Sequence, residues 1–132
     1  MALPRHTLKL RVLPGTYAYA RLEPGFAVPA WAEDETFSLR MRTKTEQCIV
    51  CPDSSVPPGV KKESPWKIIG IDATLDFNQV GIVASLAVPL AEAGLSIAPI
   101  ASFDTDYLLI REPDLARAIE VLLGAGHSVA NP

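Results

Sequence analysis

The sequence is short of the residues that usually carry chemistry. It holds two cysteines and two histidines in 132 residues. Two cysteines cannot build a disulfide framework, and Cys48 and Cys51 stand only three apart. His6 and His127 lie near opposite ends of the chain, and neither neighbours a serine elbow or a cysteine nucleophile motif. There is no Gly-rich phosphate loop, which argues against a nucleotide enzyme. Positive charge is not in excess: 12 basic against 15 acidic residues give a net charge of −3. No broad surface then attracts a phosphate backbone, and a nucleic-acid partner is not expected. Long apolar runs are also missing. The longest, residues 81–91, is too short for a membrane span and contains Pro89. The opening MALPRHTLKL lacks the apolar stretch of a secretory signal. The expectation is a cytoplasmic protein with no membrane association.

What the sequence does have is a globular composition, 48% apolar and 20% charged. The length suits one domain or two small subdomains sharing a core. The 12 prolines make up about 9% of the chain, against an average of about 5%, which fits many short elements separated by fixed turns. The segment PDSSVPPGVKKESP, residues 52–65, is the clearest break in composition and reads as a connection between two halves. The expected domains are residues 1–62 and 63–132.

The N-terminal half reads as strands. Residues 6–13 alternate, with Leu8, Leu10 and Val12 on one face. Residues 17–22 continue an extended pattern after a Pro14-Gly15 turn, and residues 37–42 and 47–51 form a candidate hairpin. Residues 28–33 are a candidate short helix. In the C-terminal half, residues 66–72, 95–103, 107–111 and 127–130 are strand candidates. Residues 113–123 predict a helix: Pro113 suits the first helical position, and Leu115, Ile119, Leu122 and Leu123 form its apolar stripe. Residues 81–93 carry a second stripe through Ile82, Leu86 and Leu90. Pro89 interrupts that helix by removing one backbone bond and crowding the Ser85 carbonyl, so a kinked helix is expected. The order β-α-β-β-α-β predicts an α+β, ferredoxin-like fold, with an antiparallel sheet and both helices on one face.

Three groups of residues invite a chemical reading. Cys48 and Cys51 have CxxC spacing, but on a strand residues three apart point to opposite faces, and no further ligands complete a zinc site. Core packing is the preferred reading. Asp72, Asp76, Asp104 and Asp106 sit at strand ends, where they serve as turn residues or hold a cation or an ammonium group. The loop Thr74 to Gly81 leads into the kinked helix, whose start offers free N–H groups and a partial positive charge. A helix-start anion site beside acidic strand ends suits a zwitterion, of which an α-amino acid is the simplest.

The segment DFNQVGIVASLAVPLAEAGLSIAPIASFDTDYLLI resembles the C-terminal ACT domain of the small two-ACT proteins related to the CASTOR arginine sensors. It keeps Gly81, the run PLAEAG at 89–94 and SFDTDY at 102–107. The stretches LKLRVLPGTYAYARL and SLRMRTKTEQCIVCP are similar to the family's first ACT half. The resemblance implies tandem ferredoxin-like ACT units, a kinked helix, no catalytic activity and no cofactor. It implies amino-acid binding between ACT units and pairing of units, hence a homodimer acting on a regulated protein partner. Carried onto this chain, the ligand-binding positions are Asn78, Gln79, Val80, Gly81 and Ile82, then Ser102, Phe103, Thr105 and Asp106. The N–H groups at Val80, Gly81 and Ile82 are expected to hold a carboxylate. Asp106, with the Ser102 hydroxyl, is expected to face the ligand's positive group. The arginine sensors have four ACT units in one chain where this one has two, and Ala101-Ser102 stands where Ser-Thr is commoner. The competing reading is a structural interaction module with an empty site.

Overall fold

The structure, a computed structural model, describes residues 5–132. The first four residues of the MALPRHTLKL segment lie outside the described residues. In chain order the strands are β1 (Lys9–Val12), β2 (Tyr17–Leu22), β3 (Leu39–Arg42), β4 (Gln47–Pro52), β5 (Lys61–Ile71), β6 (Ile97–Ala101), β7 (Asp106–Arg111) and β8 (Ser128–Ala130). Two α-helices, α1 (Ile82–Glu92) and α2 (Leu115–Gly124), fall between β5 and β6 and between β7 and β8. The chain divides into two compact units: Pro14–Trp66, and Lys67–Pro132 together with the segment ending at Leu13.

In the unit 14–66 the strand order is β3-β4-β2-β5. β2 and β4 pair antiparallel from Tyr17↔Pro52 to Leu22↔Gln47. The expected β3–β4 hairpin is present. Its turn is tied by the Thr43 hydroxyl, which accepts the N–H groups of Thr45 and Glu46 at 3.2 Å each. Strand alternation collects Ala18, Ala20, Ile49 and Cys51 on one face, where they form a core with Ala32 and Val56. Two expectations are corrected here. Residues 28–33 make only a 3-10 turn at Ala30–Ala32, because Pro29 fixes an extended residue just before it. The supposed connection 52–65 is not loop throughout, since residues 61–65 are already part of β5. Its lysines and glutamate read as a linker because this stretch is an edge strand of its unit, where charge is tolerated. Pro65 falls where the pairing with β2 slips, between Tyr17↔Trp66 and Tyr19↔Glu63.

The second unit follows the order β5-α1-β6-β7-α2-β8, the ferredoxin-like βαββαβ, and the α+β class is as the sequence implied. Its strands run β6-β7-β5-β1-β8. β1 lies between β5, to which it is antiparallel, and β8, to which it is parallel. Leu10 and Val12 thereby join Ile69, Ile71, Leu108 and Ile110 beneath the helices. The stripe of α1 buries Ile82, Leu86 and Leu90, as its spacing predicts. In α2 the buried positions are Ala118 and Leu122, while Leu123 is 51% exposed. The helix proper starts at Leu115, after a 3-10 turn at Glu112–Asp114, and that phase turns Ala118 inward and Leu123 out. Pro89 is accommodated within one helix. It has no N–H for the Ser85 carbonyl, and the buried His127 takes that acceptor instead, with Nε2 at 3.0 Å.

Candidate functional site

Gly81 is the pivot of the loop that enters α1. Its φ of 87° is left-handed, a conformation any side chain would strain, and it sits at the N-cap. Ser85 is the residue whose N–H reaches back to the Gly81 carbonyl, at 2.9 Å. The N–H groups of residues 82–84 precede that ladder and stay available. The loop is shaped by its own polar groups. The Asp76 carboxylate accepts the Asn78 N–H at 2.7 Å, and the Gln79 side-chain carbonyl accepts the Asp76 N–H at 2.8 Å.

The facing wall is the turn between β6 and β7. Ser102 N–H donates to the Thr105 carbonyl at 2.8 Å, and the Ser102 hydroxyl donates to the same oxygen at 2.9 Å. The Thr105 hydroxyl donates to the Ile71 carbonyl at 3.1 Å. Loop and turn are joined where Leu75 N–H donates to the Asp104 carbonyl, at 2.6 Å. Above that bond the rings of Phe77 and Phe103 meet edge to face, with centroids 5.2 Å apart.

Between these walls lies a cleft of about 310 Å³. Of the expected positions it is lined by Gln79, Gly81, Ile82, Ser102, Phe103, Thr105 and Asp106. Asn78 and Val80 are outside the lining: Asn78 serves the loop's internal bonding, and Val80 is exposed. The lining also includes Leu75, Asp76, Phe77, Val83, Ala84 and Ala101. Phe77 is the one with a readable signal, the single aromatic of the loop 74–81.

The electrostatics are one-sided. Among the described residues lining the cleft there are two carboxylates, Asp76 and Asp106, and no Lys or Arg. Burial pushes the Asp106 carboxyl above the ordinary carboxylate range. The Asp106 carboxylate has no hydrogen-bond or ion-pair partner among the described residues. The Ser102 hydroxyl, expected to face a ligand's positive group together with Asp106, bonds within its own turn. The cleft therefore offers main-chain donors on one wall and an unpaired carboxylate on the other.

The cysteines lie elsewhere, in β4. Cys51 is buried in the core of the unit 14–66, while Cys48 is half-buried on the opposite face, across from Met41. Burial raises both thiols above their ordinary value, which keeps them protonated. Among the described residues no group of three His, Cys, Asp or Glu is placed to hold a metal ion.

Residues 61–123 match the ACT domain family, and residues 15–59 match a family described as an N-terminal domain. Over 58 residues the chain is 40% identical to the human protein named cytosolic arginine sensor for mTORC1 subunit 1. That match covers 43% of this chain and only 18% of the sensor's length. A crystal structure of an Agrobacterium tumefaciens protein superposes with a TM-score of 0.90 at 36% identity, covering 96% of this chain and 95% of that one. Aspartate kinase of Clostridium acetobutylicum superposes with a TM-score of 0.66 at 9% identity, over 95% of this chain and 36% of the enzyme, a likeness of fold alone. No described helix is long and apolar enough to cross a membrane.

Proposed function

The chain is an ACT-domain protein, of one family with the Agrobacterium protein, and from that premise and the cleft we propose that it is a non-catalytic, cytoplasmic regulatory module that binds a small amino acid. The observation that carries the reading is the pairing of opposites across one cleft: helix-start N–H groups at residues 81–84 and the unpartnered Asp106 carboxylate. A carboxylate on the first and an ammonium on the second is the α-amino-acid pattern. The human relative's name, an arginine sensor, supports an amino-acid ligand. A homodimer, coupled to a regulated protein partner, completes the proposal; β6 and β8 stand at the edges of the second unit's sheet, where such pairing could form.

Binding in the micromolar to millimolar range, about −4 to −8 kcal/mol, suits a sensor that follows cellular concentrations. Calorimetry against the twenty amino acids tests it, with Mg²⁺, Mn²⁺ and Zn²⁺ as controls. Saturable heat with one or a few amino acids is expected. Silence with all twenty, and no rise in melting temperature, overturns the reading. The second reading, an interaction module with an empty site, draws on the hydroxyls of Ser102 and Thr105, both already satisfied within the fold.

A further inference from the structure

Residues 5–8 form a strap over the start of α1, beside a second hollow of about 400 Å³ that shares Ala84 with the first. The strap is bonded on both sides of Ser85. His6 N–H donates to the Ser85 hydroxyl at 3.0 Å, and that hydroxyl donates to the Gly81 carbonyl at 2.7 Å. Leu8 N–H donates to His127 Nδ1 at 3.0 Å. Because Nδ1 accepts, the His127 proton sits on Nε2, which is the nitrogen facing the Ser85 carbonyl.

One bond of the strap reaches the ligand loop itself. His6 Nε2 lies 2.7 Å from the Val80 carbonyl. A carbonyl only accepts, so the ring donates through Nε2–H, as the neutral tautomer with its proton there or as imidazolium. A trans peptide is planar, and its C=O and N–H point in opposite directions. Holding the Val80 carbonyl on the His6 side turns the Gly81 N–H to the other side. Gly81 lines the cleft and His6 does not.

We infer that His6 is a positioning residue: by anchoring the Val80 carbonyl it aims the Gly81 N–H, and the start of α1, at an anionic group in the cleft. Its use rests on the amino-acid-binding reading above, but its geometry is testable without any ligand. The N-terminal strap and the loop 76–81 then move as one piece.

The test compares His6→Phe, which keeps a ring and loses the donor, with His6→Gln, which restores an N–H at similar reach. Amide hydrogen exchange at pH 7 is read at Gln79 and Ser85, whose N–H groups are bonded to Asp76 and Gly81. His6→Phe is expected to speed exchange at these two by about twofold to tenfold, the worth of one hydrogen bond, with β7 amides unchanged. His6→Gln is expected to return them to wild-type rates. Unchanged rates in His6→Phe overturn the inference, as does a uniform rise that includes β7, which marks a mere tether. If His6→Phe does not fold, Ser85→Ala is read at Gln79: faster exchange there supports the coupling and an unchanged rate overturns it. Titration of wild type and both His6 variants with the twenty amino acids is run alongside. A binder weakened in Phe and recovered in Gln supports the positioning role. Silence from all twenty overturns the ligand reading, while the exchange rates still decide the strap.

Discussion

Gly81 and Asp106 are the two residues on which the proposed site turns, and each makes a separable prediction. Valine at 81 must adopt the left-handed φ of 87° with a β-branched side chain, or rebuild the entry to α1. Gly81→Val is expected to abolish amino-acid binding in calorimetry, with the unit's core still folded by circular dichroism. Asp106→Asn keeps shape and removes charge, so affinity for any amino acid found to bind is expected to fall about tenfold to 150-fold, the loss of a hydrogen bond to a charged group. The stability effect has the opposite sign. Burial raises the Asp106 carboxyl, so the folded chain disfavours its ionised form. Its contribution is fully present below the ordinary Asp value and is lost as pH rises through the raised one. Asp106→Asn is therefore expected to melt no lower than wild type at pH 7, and to lose part of the pH dependence in the acidic range just above the ordinary Asp value. Thermal melts from pH 3 to 7 check it; a lower melting temperature at pH 7 means that Asp106 serves the turn alone. Cys51, fully buried in the unit 14–66 and away from the cleft, makes a prediction of its own. Cys51→Ser is expected to cost about 1–3 kcal/mol in denaturant unfolding, the burial of a hydroxyl, and purified protein is expected to carry less than stoichiometric zinc.

At the scale of the element, α1 shows how much of a helix is legible and where reading stops. Ile82, Leu86 and Leu90 recur every four residues across Pro89, and that unbroken phase is why one helix could be read. What the spacing could not show is who receives the Ser85 carbonyl that Pro89 leaves without a donor. The partner is His127, 42 residues further along and only 4% exposed. His127→Ala is expected to destabilise the protein by about 1–3 kcal/mol, because two half-buried main-chain groups, the Ser85 carbonyl and the Leu8 N–H, lose their partner. Pro89→Ala restores an N–H for Ser85, so the double variant is expected to recover part of that loss. A double-mutant cycle by urea unfolding measures the coupling, and simple additivity would refute it. The loop before α1 shows the converse. Seven of nine positions taken from the family resemblance line the cleft, yet two of their hydroxyls are occupied: Ser102 within its own S-F-D-T-D turn, and Thr105 on the Ile71 carbonyl, 34 positions away.

For the whole molecule, the placement of β1 matters most. The strand comes from the N-terminal end but completes the unit 67–132, between β5 and β8. Leu10 and Val12 are almost fully buried there, each worth about 1.5–3 kcal/mol against a typical total stability of about 5–15. A chain trimmed to residues 63–132 is expected to lose its cooperative thermal transition by circular dichroism, although it retains every βαββαβ element. The proposed homodimer predicts a light-scattering mass near twice the 14.2 kDa of the chain at micromolar concentration. A mass of one chain would count against it.

Local periodicity and turn chemistry made much of this readable in advance. The alternation of β1, β2 and β4, the stripe of α1 and the βαββαβ order depend on side chains within a few residues of one another. The start of β5 escaped, because Lys61 to Pro65 has the composition of a linker and becomes a strand only through its partner, β2. Three further outcomes waited on tertiary structure: the seating of β1, the pairing of Ser85 with His127, and the bond from His6 to Val80. The last two join residues 42 and 74 positions apart. Contacts at such separations depend on how the chain closes its loops, and no pattern within a short window encodes that.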